Sequence, residues 1–213
     1  MQKIDLKTDL KALYAPSRKT AQLIDVPEMQ FLVIDGQIEP GQAPGDSPDF
    51  QACVQALYGA AYTLKFSFKM RKEDPIDYPV MALEGLWWIH SGEFDINRKD
   101  NWSFTLMIMQ PEVVTPADFN AALLEVRRKK GDLPALGRLR LEHFREGPCV
   151  QIMHIGPYAT EPATIEKMEA FAAANQLKMA GRHHEIYLGN PLTGNQEKMK
   201  TILRHAVQPL DAA

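Results

Sequence analysis

Cysteine is scarce in this chain: 213 residues carry two, Cys53 and Cys149, each inside an apolar run and neither spaced like a metal-ligand pair. A disulfide framework is therefore not expected, and both thiols are read as buried and free. No apolar run reaches the ~18 residues that a membrane-spanning helix needs, and Met1 to Lys11 alternates charged with apolar residues where a signal peptide would be apolar. A cytoplasmic protein that meets no membrane is the expectation. The chain also lacks a dominant charge: the formal net charge is −3, with acids and bases interleaved, which leaves no footprint for a nucleic-acid backbone. The basic run Arg127-Arg128-Lys129-Lys130 falls at the end of a predicted helix before Gly131, where cations complement the helix dipole. The six histidines form no HExxH spacing, and the glycines between Gly36 and Gly45 lack the lysine of a phosphate loop, so neither metal nor cofactor is expected.

What is present is an ordinary globular composition, 45% hydrophobic and 24% charged, enough to bury a core in one domain or two fused half-domains. Residues 1–28 read as a polar lead-in, too short for a DNA-binding domain. Phe31 to Ile34 reads as a strand. Ser47-Pro48 opens a helix whose apolar residues, from Phe50 through Leu57 to Phe68, keep helical spacing. Val80 to Ile89 reads as one long strand or a pair bulged at Gly85, and Trp102 to Met109 as another strand. Thr115 to Asp118 is a capping-box variant that starts a connector helix over about 115–130. Leu139 to Phe144 and Val150 to Ile155 read as two strands around the turn Glu146-Gly147-Pro148. Thr160 caps a helix running from Glu161 to about Asn175, and strands at Glu185 to Leu188 and Thr201 to Leu203 follow.

Strand, helix, strand, strand thus occurs twice, over about 29–110 and again over about 138–207. The fold expected is α+β: two pseudo-symmetric modules sharing an antiparallel sheet, with helices on one face and a ligand cleft on the other. Residues 29–213 form the binding domain in this reading, and a weak homodimer is the self-association it leaves open.

Glu185 and Tyr187 are two apart in a strand and share a face, while Ile186 and Leu188 point the other way. A carboxylate in an apolar strand costs several kcal/mol unless paired or neutralised, roughly the price of an unpaired buried charge. Either Glu185 serves a ligand, or it forms a salt bridge with Arg182 or Arg204. Trp87 and Trp88 are adjacent and face opposite ways, so one of them at most lines a site, and a bulge at Gly85 would change which. Tyr58 and Tyr62 stack along one side of the first long helix, Met107 and Met109 share a strand face, and Tyr158 follows Gly156-Pro157 at a strand end; each suits an adaptable aromatic site or plain core packing.

Three stretches are distinctive: Glu146 to Tyr158 (EGPCVQIMHIGPY), His183-His184-Glu185-Ile186-Tyr187-Leu188, and Lys200-Thr201-Ile202-Leu203-Arg204. With Ala56 to Phe66 and Leu83-Glu84-Gly85-Leu86-Trp87-Trp88, they resemble the GyrI-like small-molecule-binding family over nearly the whole chain. The sequence departs from that pattern at Gly189-Asn190-Pro191-Leu192, where the family has Ser-Asp-Pro-Arg. The resemblance implies paired strand-helix-strand-strand modules around a pocket for small aromatic ligands. It also implies several functions: effector domains of multidrug-sensing regulators, a gyrase inhibitor, and stand-alone hydrolases of cyclopropane-bearing alkylators. Glu185 would then meet cationic aromatics, or act as general base with Tyr187 or Tyr158 as hydroxyl donor.

Overall fold

The computed structural model describes residues 1–90, 102–189 and 195–210. Along the chain run β1 (Gln2–Lys3), α1 (Leu6–Asp9), α2 (Lys11–Tyr14), β2 (Gln22–Gln37), α3 (Pro48–Lys69), β3 (Ile76–Asp77) and β4 (Leu83–Trp88). β5 (Ser103–Gln110), α4 (Pro116–Lys130), β6 (Arg140–Ile155), α5 (Pro162–Ala174), β7 (Leu177–Tyr187) and β8 (Lys200–Pro209) follow. The result is a mixed α and β fold whose long strands pair antiparallel. Strand, helix, strand, strand does occur twice in the order of elements, with the short β3 interposed the first time. Among the described residues no helix is long and apolar enough to cross a membrane. The chain forms two compact units, the first from Met1–Leu10, Met29–Met81 and the described part of Arg98–Phe144, the second from the remainder.

In the first unit, local signals set the helices. Ser47 accepts from the Phe50 amide with Pro48 in the first turn, and α3 then buries Cys53, Ala56, Leu57, Ala60, Leu64 and Phe68 along one side. Thr115 and Asp118 close a reciprocal capping box on α4, and Gly131 ends it at φ 78°, a conformation that suits glycine. β5 is buried along its whole length and pairs with β2 from Gln30↔Gln110 to Gln37↔Ser103.

The second unit is a four-stranded antiparallel sheet in the order β4-β7-β8-β6. Val150, Ile152, Leu203 and Val207 alternate onto one face and pack with Met168 and Ala172 of α5. Residues one step along each strand, Gln151, His184 and Arg204, face the other way. Between Ala180 and His184 the β7-β8 register shifts, and Gly181 at φ 74° absorbs the irregularity.

Several expectations change. β2 begins at Gln22, well before Phe31: its first residues alternate exposed with half-buried or buried positions, Val26 among the buried. Glu146-Gly147-Pro148 does not end a strand: β6 runs unbroken for 16 residues, and Gly147 at φ 76° bends it in place. The paired register of β4 and β7 passes through Gly85 without a bulge. Glu161, not Thr160, occupies the N-cap of α5, since the Thr160 hydroxyl donates to the Pro157 carbonyl.

Candidate functional site

Strand β7 sorts its polar residues by parity. His183, Glu185 and Tyr187 hang from one face, the face on which α5 packs, and His184 hangs from the other. Gly85 of β4 lies directly across from Glu185, and Trp87 across from His183, so Trp87 and not Trp88 is the tryptophan on the Glu185 side. The Trp87 indole N–H donates to the Tyr187 hydroxyl at 3.0 Å. Gly85 makes room for that bond: a Cβ there would stand 2.9 Å from Trp87 Nε1 and 3.1 Å from Tyr187 Oη.

Glu185 is buried, and its Oε1 lies 3.1 Å from His183 Nε2. His183 Nδ1 in turn meets His205 Nε2 at 3.0 Å. Burial and the neighbouring His183 push the His205 pKa down to about 3, so His205 is neutral at pH 7. The Tyr187 hydroxyl donates to Glu185; burial and that charge hold its pKa well above the ordinary phenol value. Tyr158 packs edge-on against Tyr187, with ring centroids 6.2 Å apart, and burial followed by the Glu185 and Glu161 charges raises its pKa too. Both phenols therefore stay protonated and remain donors.

Glu161 completes the group. Oxygen and nitrogen atoms of Glu161, His183 and Glu185 lie within 4.8 Å of one another, all three residues buried. These are donors of the kind a divalent cation takes, and His183 and Glu185 are also in hydrogen-bond contact with each other.

The opposite face holds a second buried network. His184 places Nε2 3.1 Å from Glu84 and Nδ1 3.0 Å from Glu146. Both partners only accept, so the imidazole donates twice and is cationic. Burial alone would pull its pKa down, but the Glu146 and Glu84 carboxylates outweigh it and set it at about 9. Tyr14 donates to Glu84 at 2.6 Å. Arg204 reaches Glu146 at 3.5 Å, Gln151 at 3.1 Å and the Leu13 carbonyl at 2.8 Å. Of the alternative to a ligand role, a salt bridge from Glu185 to Arg182 or Arg204, the Arg204 branch is not realised: Arg204 pairs with Glu146, because Arg204 and Glu185 sit on opposite faces.

Of the sequence candidates, Trp87, Tyr158, Glu185 and Tyr187 come together. Trp88 lies on the far face under the Arg182 guanidinium, 3.7 Å from its ring centroid. Tyr58, Tyr62, Met107 and Met109 belong to the first unit. There the two tyrosine rings lie 6.2 Å apart along α3, half-buried and exposed respectively, and both methionines are buried in β5. Tyr62 also lines a groove of about 620 Å³ with Phe66 of α3, Met70 just past its end, and Ala121 and Glu125 of α4. Sequence reasoning missed His183 and Glu161. Strand parity could have found His183, two residues before Glu185; nothing local marks Glu161 as buried. The departure at Asn190-Pro191-Leu192 lies outside the described residues, and only Gly189 of that stretch is described.

This is an α+β chain with an acidic and aromatic cluster on one strand face. Its family follows from comparison: residues 20–206 match the model of the GyrI-like small molecule binding domain, and the chain belongs to that family. Similar solved structures include an uncharacterized conserved protein from Listeria innocua at 40% identity and TM-score 0.86, covering 96% of this chain and all of that one. A hydrolase from the same organism matches at 38% identity and TM-score 0.82 with the same coverage. The C-terminal domain of EcmrR shares the fold at 10% identity and TM-score 0.52, covering 89% of this chain and 98% of that one. No curated protein matches.

Proposed function

We propose that the Glu185 cluster binds small planar aromatic molecules, cationic or electrophilic, and that the protein detoxifies cyclopropane-bearing alkylators by adding water to the strained ring. One observation carries this reading: a buried carboxylate, Glu185, flanked by Tyr187, Tyr158 and the Trp87 indole. Glu185 accepts a proton from water as the water oxygen attacks the ring methylene. The ring bond breaks toward the conjugated carbonyl, and a tyrosine hydroxyl, Tyr187 or Tyr158, protonates the oxygen that gains the charge. The tyrosine recovers its proton from Glu185, so the products carry the elements of water and the enzyme is unchanged. No cofactor is required by this sequence of steps. The 38% identity to a protein described as a hydrolase supports the reaction class without naming a substrate.

The test incubates the protein with a cyclopropane-bearing alkylator and quantifies the water adduct by mass spectrometry. Wild type should exceed buffer, and Glu185→Gln should lose about 10²- to 10⁴-fold, the usual contribution of a general base. Adduct no faster than in buffer, with Trp87 fluorescence still quenched by the compound, would assign the site to sequestering without chemistry. Equal rates for wild type, Glu185→Gln and Tyr187→Phe would remove these residues from the reaction.

A further inference from the structure

The residue preceding a helix ordinarily spends a carboxylate on that helix, by accepting from its first free amides. Glu161 stands at this place before α5 and makes no side-chain cap. It is fully buried, and a carboxylate oxygen comes within 4.8 Å of both the Glu185 carboxylate and a His183 ring nitrogen. Tyr158 lies near both carboxyl groups. Two carboxylates this close in a site without bulk water repel, and such pairs settle by retaining a proton between them. Ionisable neighbours among the described residues include Tyr187 and His154 near Glu185 and His205 behind His183.

We propose that Glu161 and Glu185 hold one shared proton, Glu161 carrying it while Glu185 stays ionised. Glu161 is then a positioning residue that acts through Glu185: it limits the pair to one negative charge and donates to the base instead of repelling it. His183, held by His205 on its other nitrogen, fixes Glu185 Oε1. During hydrolysis the pair gains the proton lost by water and passes one on to the tyrosine that has protonated the product. It thereby returns to one proton. This catalytic consequence rests on the function proposed above; the shared proton itself does not.

Infrared difference spectroscopy of the full-length protein at pH 7 decides the matter without any substrate. A protonated carboxyl group has a carbonyl band that a carboxylate lacks. Wild type should show it. Glu161→Gln should lose it because Glu185 then has no like charge beside it and stays ionised, and Glu185→Gln should lose it because Glu161 ionises in turn. Glu84→Gln, on the other sheet face, should keep it. Absence of the band in wild type, or its survival in either Glu161→Gln or Glu185→Gln, overturns the shared proton, as does a band that appears only after a chelator has stripped a stoichiometric divalent metal. Matched far-ultraviolet circular dichroism of the variants guards against misfolding. Where turnover is found, Glu161→Gln should move the acidic limb of its pH profile to lower pH, and an unmoved limb refutes the coupling. Failure to find turnover leaves the infrared result standing, so the two proposals fail separately.

Discussion

His184 offers a sharp stability measurement. In the unfolded chain its pKa is near 6.5, and in the fold, clamped between Glu84 and Glu146, it is about 9. At roughly 1.4 kcal/mol per tenfold in proton affinity, that rise corresponds to about 3 kcal/mol of folding free energy. The lowered Glu146 pKa is the same contact seen from its other partner and adds nothing further. Because the folded pKa lies above the unfolded one, the contribution is complete below pH 6.5 and is lost as the pH climbs through 9. Urea unfolding of wild type and His184→Gln at half-unit steps from pH 6 to 9.5 isolates it. The difference in unfolding free energy should be largest at pH 6 and shrink by about 3 kcal/mol at the alkaline end, by the same linkage arithmetic. Comparing the two chains cancels the cysteines and tyrosines, whose burial-raised pKa values make their own demands above pH 9. A difference that stays flat across the window would refute a cationic His184.

Three other outcomes are expected. Tyr14→Phe removes the donor to buried Glu84 and should cost about 1–3 kcal/mol in urea unfolding. Gly85→Ala should displace the Trp87 indole from Tyr187, shift tryptophan emission and destabilise by about 1–3 kcal/mol, as small-to-large changes in a packed site do; unchanged emission would contradict the contact. The His205 pKa is depressed in the fold, so its contribution is present above pH 6.5 and falls as the pH drops toward 3; His205→Gln should flatten the acid side of the stability curve relative to wild type.

How far the sequence could be read depended on the range of the interaction. The starts of α3 and α4 were legible because Ser47-Pro48 and Thr115-Asp118 act within one turn. The alternation that puts Tyr187 beside Glu185 and separates Trp87 from Trp88 was legible too, since strand parity needs no knowledge of partners. The turn read at Gly147-Pro148 failed because a strand can bend at a left-handed glycine and continue pairing. Tyr14 on Glu84 joins residues 70 apart, and no local pattern announces it. Glu161 was hidden for the same reason: its position advertises a helix cap, and only the packing of α5 shows where the carboxylate goes. The cleft was expected on the sheet face away from the helices, whereas the Glu185 cluster shares the face that α5 covers.

Strand β7 carries unlike cargo on its two sides, and that constrains how the second unit can misassemble. A slip of one residue against β4 or β8 would swing Glu185 and Tyr187 toward Arg204 and Gln151 and leave His184 facing the apolar residues of α5. His184 would lose both of its carboxylate partners at once. Mispaired forms of this sheet are therefore separated from the native one by a wide energetic gap, and the two polar networks act as a proofreading pair for strand alignment, whatever chemistry one of them performs.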